Sequence, residues 1–167
     1  RMVGTRNMWI NAGRQQFHMP RGEAKTFPGE VGVSVPDIKA THRNLKRISR
    51  ELKGTEFSMK EVGKTLTLSS PWGHILRVHQ AGELSGRMPQ AISYVNFWVP
   101  VGAAKPIAEF YEKLVLAPAK VPQRGKHAMA TVTVGGNQHF HFGDKPEFNP
   151  DETPHHKETY VTTNQER

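Results

Sequence analysis

The sequence predicts an α+β fold in which two βαβββ units are paired, their strands forming curved mixed sheets. Three observations predict it. Two segments, near residues 37–53 and 106–114, carry apolar side chains at helical spacing. Each is preceded by an alternating strand and followed by three strand candidates. The stretch from Gly13 to Met19 (GRQQFHM) also returns 123 residues later as Gly136 to Phe142 (GNQHFHF), keeping the frame Gly-x-Gln-x-Phe-His. That offset is about the length of a small domain.

Residues 6–12 and 15–19 read as two short strands, or as one bent at Gly13. Alternation sets Gln16 and His18 against Phe17 and Met19 on opposite faces. Pro20, Gly22, Pro28 and Gly29 punctuate a loop. Glu30–Val35 alternates Val31, Val33 and Val35 with polar or small residues, a half-buried strand. Pro36-Asp37 opens a helix, Asp37 serving as its N-terminal acid. The helix is expected to run to about Lys53 and stop at Gly54. Ile38, Leu45, Ile48 and Leu52 form its apolar stripe, with Lys39, Arg43, Lys46, Arg47 and Arg50 on the other side. Strands are expected around Thr55–Lys60, Thr65–Ser70 and Ile75–His79, with Pro71-Trp72-Gly73 turning the chain before the last.

Ala81 to Gln90 is a linker holding two Gly and a Pro. Ile92–Val99 begins the second unit. Its helix is expected after Pro106, buried through Ile107, Phe110, Tyr111 and Leu114. A short strand near Lys120, then His127–Val134 and Gln138–Phe142, complete the unit. Gly143 to Pro154 is a polar loop, and Lys157–Thr162 reads as one more strand. The organisation is therefore 1–25 closing strands of an incomplete module, 26–82 and 91–145 βαβββ modules, and 153–167 the start of another.

A chain of 167 residues with 36% apolar composition can bury a core. It has no cysteine, so disulfides and thiolate metal sites are excluded. No apolar run reaches the roughly 20 residues that span a bilayer, so the chain is expected not to be transmembrane. It opens with Arg1, which reads as a processed product or a fragment, and shows no signal or transit segment. The net charge of +8 lies wholly in residues 1–82, with fourteen Lys/Arg against six Asp/Glu; residues 83–167 are balanced at nine against nine. A basic half points to an acidic protein surface or RNA as partner. A processed basic chain also suits a mitochondrial matrix or plastid, the cytoplasm being the other location.

Several stretches resemble the vicinal oxygen chelate superfamily, which includes glyoxalase and the extradiol dioxygenases. Gly32-Val33-Ser34-Val35-Pro36-Asp37 resembles the opening of that family's second module. Ser70-Pro71-Trp72-Gly73-His74-Ile75-Leu76-Arg77 resembles its closing Asp-Pro-x-Gly-Asn-x-x-Glu strand. Ile92 to Pro100 (ISYVNFWVP) resembles the opening of a first module. In that order, second module before first, the chain reads as a window cut across a tandem array. Both copies of the repeat would then close a first module.

The resemblance implies a glyoxalase-like fold and a divalent metal (Zn, Fe, Mn or Ni) held by the opening and closing strands of both modules. Such an ion acts as a Lewis acid, with positions left open for substrate oxygens. By the same resemblance Glu30 stands at an opening-strand ligand position and His156 at its equivalent. His18 and His141 stand near the closing-strand position. Tyr94 stands where a His is expected, and Arg77 where the closing Glu is expected. A guanidinium cannot ligate a cation. Glu30 and Arg77 are therefore set against the metal reading as a structural ion pair. His139 and His141 share a strand face, as ligands or as ordinary hydrogen-bonded surface groups. Trp72 and Trp98 read as core or turn packing.

Three functional readings follow. One is a non-catalytic glyoxalase-like protein, a structural or accessory subunit of a larger complex or a homo-oligomer, with no cofactor. Another is a divalent-metal-dependent enzyme of glyoxalase or dioxygenase type. The third is an anion or RNA contact module acting through Lys39, Arg43, Lys46, Arg47 and Arg50.

Overall fold

The computed structural model describes residues 7–20, 26–124, 127–148 and 161–163. Its architecture is the α+β arrangement that the sequence predicts. The first helix-containing unit comprises strand β3 (Gly29–Val35), helix α1 (Ile38–Ile48) and strands β4 (Ser58–Val62), β5 (Thr65–Ser69) and β6 (Ile75–Gln80). The second comprises β7 (Ala91–Val99), α2 (Ala104–Leu114), β8 (Ala119–Lys120), β9 (Gln123–Arg124), β10 (His127–Gly135) and β11 (Gln138–Asp144). They share one mixed sheet in the order β4-β5-β6-β3-β7-β11-β10-β8, with β9 paired to β10. Each opening strand runs parallel to its own closing strand, β3 to β6 and β7 to β11. The two units meet where β3 and β7 pair antiparallel.

Alternation sorts this sheet into two faces. Val33, Val35, Leu66, Leu68, Leu76 and Val78 point to one side and pack with Ile38 and Leu45 of α1. On the same side Ala130 and Phe142 pack with Ala104 and Ala108 of α2. The opposite face is polar. One row across it reads Ser69, Ile75, Glu30, Asn96, His141 and Thr131. The next reads Lys60, Thr67, Arg77, Gly32, Tyr94, His139 and Thr133.

A hairpin of β1 (Asn7–Ala12) and β2 (Gln15–Pro20), joined by β12 (Val161–Thr163), makes a second sheet in the order β1-β2-β12. Ala12 and Phe17 pack with Ile92, Val95, Val31, Phe97 and Phe140. The hairpin thus covers the junction of β3 and β7 on the apolar side. Both copies of the repeated heptapeptide begin at a two-residue turn, between Ala12 and Gln15 in one case and Gly135 and Gln138 in the other. Their glutamines converge: Gln15 Oε1 accepts the Ile92 N–H, and Gln138 Nε2 donates to the Ile92 carbonyl at 3.2 Å.

The helices depart from expectation at their ends and faces. Asp37 caps α1 by accepting the Ala40 N–H at 2.9 Å, which holds its carboxyl below the usual range. The helix stops at Ile48 rather than Lys53. There the Ser49 hydroxyl donates to the Lys46 carbonyl at 2.8 Å, and the chain turns repeatedly until Gly54 at φ 84°. Helix α2 starts at Ala104, two residues before Pro106. Its buried residues are Ala104 and Ala108, whereas Phe110 and Leu114 are exposed. Ile107 and Tyr111 are half-buried, the Tyr111 ring 5.6 Å from that of Phe142, so only part of the expected stripe meets the sheet. Strand β4 begins at Ser58 rather than Thr55. Of the last expected strand, Val161–Thr163 is seen; residues 149–160 lie outside the described residues.

Beyond α2, Leu116 takes a left-handed conformation, φ 59°, and is 83% exposed. Glycine is the residue suited to such a position, because a Cβ there costs about 1 kcal/mol. Leu116→Gly is therefore expected to raise stability by about 0.5–1 kcal/mol in urea denaturation. A lowered midpoint would show that the exposed leucine contributes more than its strain costs.

Candidate active site on the polar sheet face

Strands β6, β3, β7 and β11 bring the polar rows to the centre of the sheet. Glu30 is buried there, and Arg77 grips it with two parallel bonds. Arg77 Nε donates to Glu30 Oε1 at 3.1 Å and Nη2 to Oε2 at 2.8 Å. The hydrogen bond to Glu30 raises the guanidinium pKa, with burial opposing. Gly32 lies between Arg77 and Tyr94 in register, and a Cβ there would collide with the Tyr94 ring. The absent side chain lets that ring lie across β3 beside the ion pair.

Tyr94 is half-buried, and its OH lies 3.2 Å from His79 Nε2. Burial, with the Glu30 charge adding and Arg77 opposing, pushes the phenol pKa well above its usual value. It stays a neutral phenol at physiological pH. Burial also lowers the His79 pKa, Glu83 opposing and Arg77 reinforcing the shift. Burial thus sets an imidazole and a phenol against each other at hydrogen-bond distance.

On the other side of Tyr94, the His141 ring sits 4.9 Å away at 62°, and His141 Nδ1 is 2.9 Å from Thr131 Oγ1. His139 and His141 are ring neighbours at 6.0 Å. Two buried polar atoms of this face, Asn96 Oδ1 and His139 Nδ1, have no hydrogen-bond partner among the described residues. Asn96 was not singled out from the sequence. The signal available was a polar residue midway along a strand that is apolar or aromatic apart from Ser93, at the same parity as Tyr94.

The structure distributes the sequence-derived candidates as follows. Glu30 and His141 lie in one row with Asn96 between them. That separation is two strand spacings, on the order of 10 Å at the backbone. His18 lies on the small sheet, its ring stacked on Trp9 at 4.1 Å, and does not join them. His156 lies outside the described residues. Lys39, Arg43, Lys46 and Arg47 are exposed on α1, and Arg50 is exposed in the turn after it. Trp72 is exposed in the turn before β6, and Trp98 is half-buried with Lys145 Nζ 5.5 Å from its ring.

This donor set does not fit a divalent ion. Both Glu30 oxygens are engaged by a guanidinium, and a protonated phenol stands where an imidazole is needed. Among the described residues no three His, Asp or Glu side chains converge. Likewise, among them no helix is long and apolar enough to cross a membrane.

No protein family and no curated protein matches the chain by sequence. Solved structures do match it. A glyoxalase I variant from Zea mays aligns with TM-score 0.50 and 14% identity over 81% of this chain and 45% of that one. The 2,2′,3-trihydroxybiphenyl 1,2-dioxygenase of Sphingomonas wittichii strain RW1 aligns with TM-score 0.51 and 9% identity, over 75% of this chain and 43% of that one. A Streptomyces coelicolor methylmalonyl-CoA epimerase is covered over 99% of its length, at TM-score 0.46 and 13% identity. The chain thus spans less than half the length of the first two, and has the glyoxalase-like fold of vicinal oxygen chelate proteins.

Proposed function

We propose that this chain is a non-catalytic member of the glyoxalase-like fold, serving as a structural or accessory subunit of a larger assembly. The observation that carries this reading is the Arg77–Glu30 pair. In a metal site of this fold the carboxylate would present its oxygens to a cation with open positions. Here a fixed cation of the chain's own takes both oxygens and leaves no exchangeable position. Tyr94 and His79 satisfy each other in the same way. The polar face is thereby occupied with holding β6, β3 and β7 together.

The module order supports the same reading. Residues 26–82 are of second-module type and 91–145 of first-module type, with closing strands before them.

The second reading is a metal-dependent enzyme of glyoxalase or dioxygenase type, favoured by the fold neighbours being enzymes of those names. Metal analysis separates the two. Chain purified without chelator is expected to carry well under one equivalent of Zn, Fe, Mn and Ni. One tightly held ion per chain, lost when Glu30→Gln is made, would overturn the non-catalytic reading. The anion or RNA reading rests on the exposed cations of α1 and on charge alone.

A further inference from the structure

Sheet edges decide how a β protein meets other chains, and this chain guards its edges unequally. The main sheet ends at β4, where Lys60 and Glu61 place charges on the outer strand. Its other end is β8, only two residues long. Both devices discourage a further strand. The small sheet ends at β12, three residues long, and at β1, whose six-residue sequence NMWINA holds neither a charge nor a proline. Among the described residues no strand pairs with its outer edge.

The hairpin is also seated only at its turn end. Ala12 and Gln15 are buried, at 9% and 4% exposure. Along the same face exposure rises to 44% at Ile10, 46% at Met19 and 57% at Met8. Three apolar side chains on one face of the arm thus extend past the surface that covers its base.

We infer that β1 is a self-association strand: two copies of the chain pair β1 to β1, antiparallel, about a two-fold axis at Trp9. A two-fold contact sets a strand against itself, so a charged strand repels its copy; β1 has no charge to oppose. The exposed basic face of α1 could not serve this purpose. Antiparallel partners share a sheet face, so the paired residue numbers must sum to an even value. An axis at Trp9 sets Met8 of each copy opposite Ile10 of the other, and Asn7 opposite Asn11. An axis at Ile10 would set Met8 against Ala12, already covered by its own chain. The first register covers the exposed apolar side chains and is the one assigned. A contact of one strand pair falls below the standard interface of about 1,600 Å², so the dimer is expected to be weak and reversible. This inference stands apart from the metal question, since no residue of the polar face takes part.

The chain has no native cysteine, so a single introduced thiol reports one contact. Opposed Cβ atoms in a strand pair lie about 4.5–5.5 Å apart, near the range a disulfide can bridge with slight adjustment. Mild oxidation of dilute W9C is expected to give covalent dimer, while V62C on β4 stays monomeric. Sedimentation of the native chain should show a concentration-dependent dimer, weakened at least about tenfold by I10K with circular dichroism unchanged. The W9C change removes the stack on His18, so its circular dichroism is checked too, and I10K tests the strand without it. A native chain monomeric up to about 100 µM overturns the inference. So does a dimer that I10K leaves intact, or cross-linking of W9C no greater than that of V62C.

Discussion

Arg77→Met is expected to cost about 2–4 kcal/mol, the largest loss from any single polar substitution on the central face. The Glu30 side chain is only 10% exposed, so its carboxylate would be left buried without a counter-charge. Breaking a buried pair from one side costs about 3–5 kcal/mol, and the 33% exposure of Arg77 lowers the expectation. Removing both charges is a different matter. Glu30→Leu combined with Arg77→Met is expected to recover most of the loss, because no unpaired ion remains. Urea unfolding followed by tryptophan fluorescence reads both. If Arg77→Met lies within about 0.5 kcal/mol of the native chain, Glu30 has another partner or a bound cation.

Gly29→Ala is expected to cost about 3 kcal/mol or more, or to prevent folding. A Cβ at Gly29 would run into the Asn96 carbonyl oxygen, with the Phe27 ring close behind. A side chain can rotate away from such a clash; a ladder carbonyl cannot. β3 would have to move off β7, and among the described residues that is the only strand pair joining the two units. Gly136→Ala is the control, since a Cβ there meets nothing within 4 Å. It should change stability by no more than about 0.5 kcal/mol. Equal effects of the two substitutions would mean that the seam gives way easily.

What the sequence disclosed depended on how local the cause was. Strand β3 was legible because Val31, Val33 and Val35 alternate, and α1 because Asp37 precedes a clean apolar stripe. The end of α1 was not, because a serine hydroxyl and a series of turns stopped it before the pattern did. In α2 the pattern itself misled: Phe110 and Leu114 continue the apolar stripe yet stand exposed, while the alanines make the contact. Periodicity gives the direction of a side chain, and neighbouring elements decide whether anything meets it there. Glu30 and Arg77 could be paired in advance through the family resemblance. Asn96, His79 and Thr131 could not, because their importance comes from strands remote in the chain. The seam between β3 and β7 is likewise a long-range choice that no short window encodes.

The two glutamines on Ile92 explain why the repeat keeps that residue type. A strand residue's N–H and C=O point to the same side, where a neighbouring strand would ordinarily complete the rung. At Ile92 two side-chain amides serve both groups: Gln15 takes the hydrogen and Gln138 supplies one. A carboxylate in either copy could only accept, and an ammonium could only donate. The amide is bilingual. One residue type, copied 123 positions apart, can therefore address opposite poles of a single peptide unit. The two like-placed glutamines thus form complementary halves of one grip.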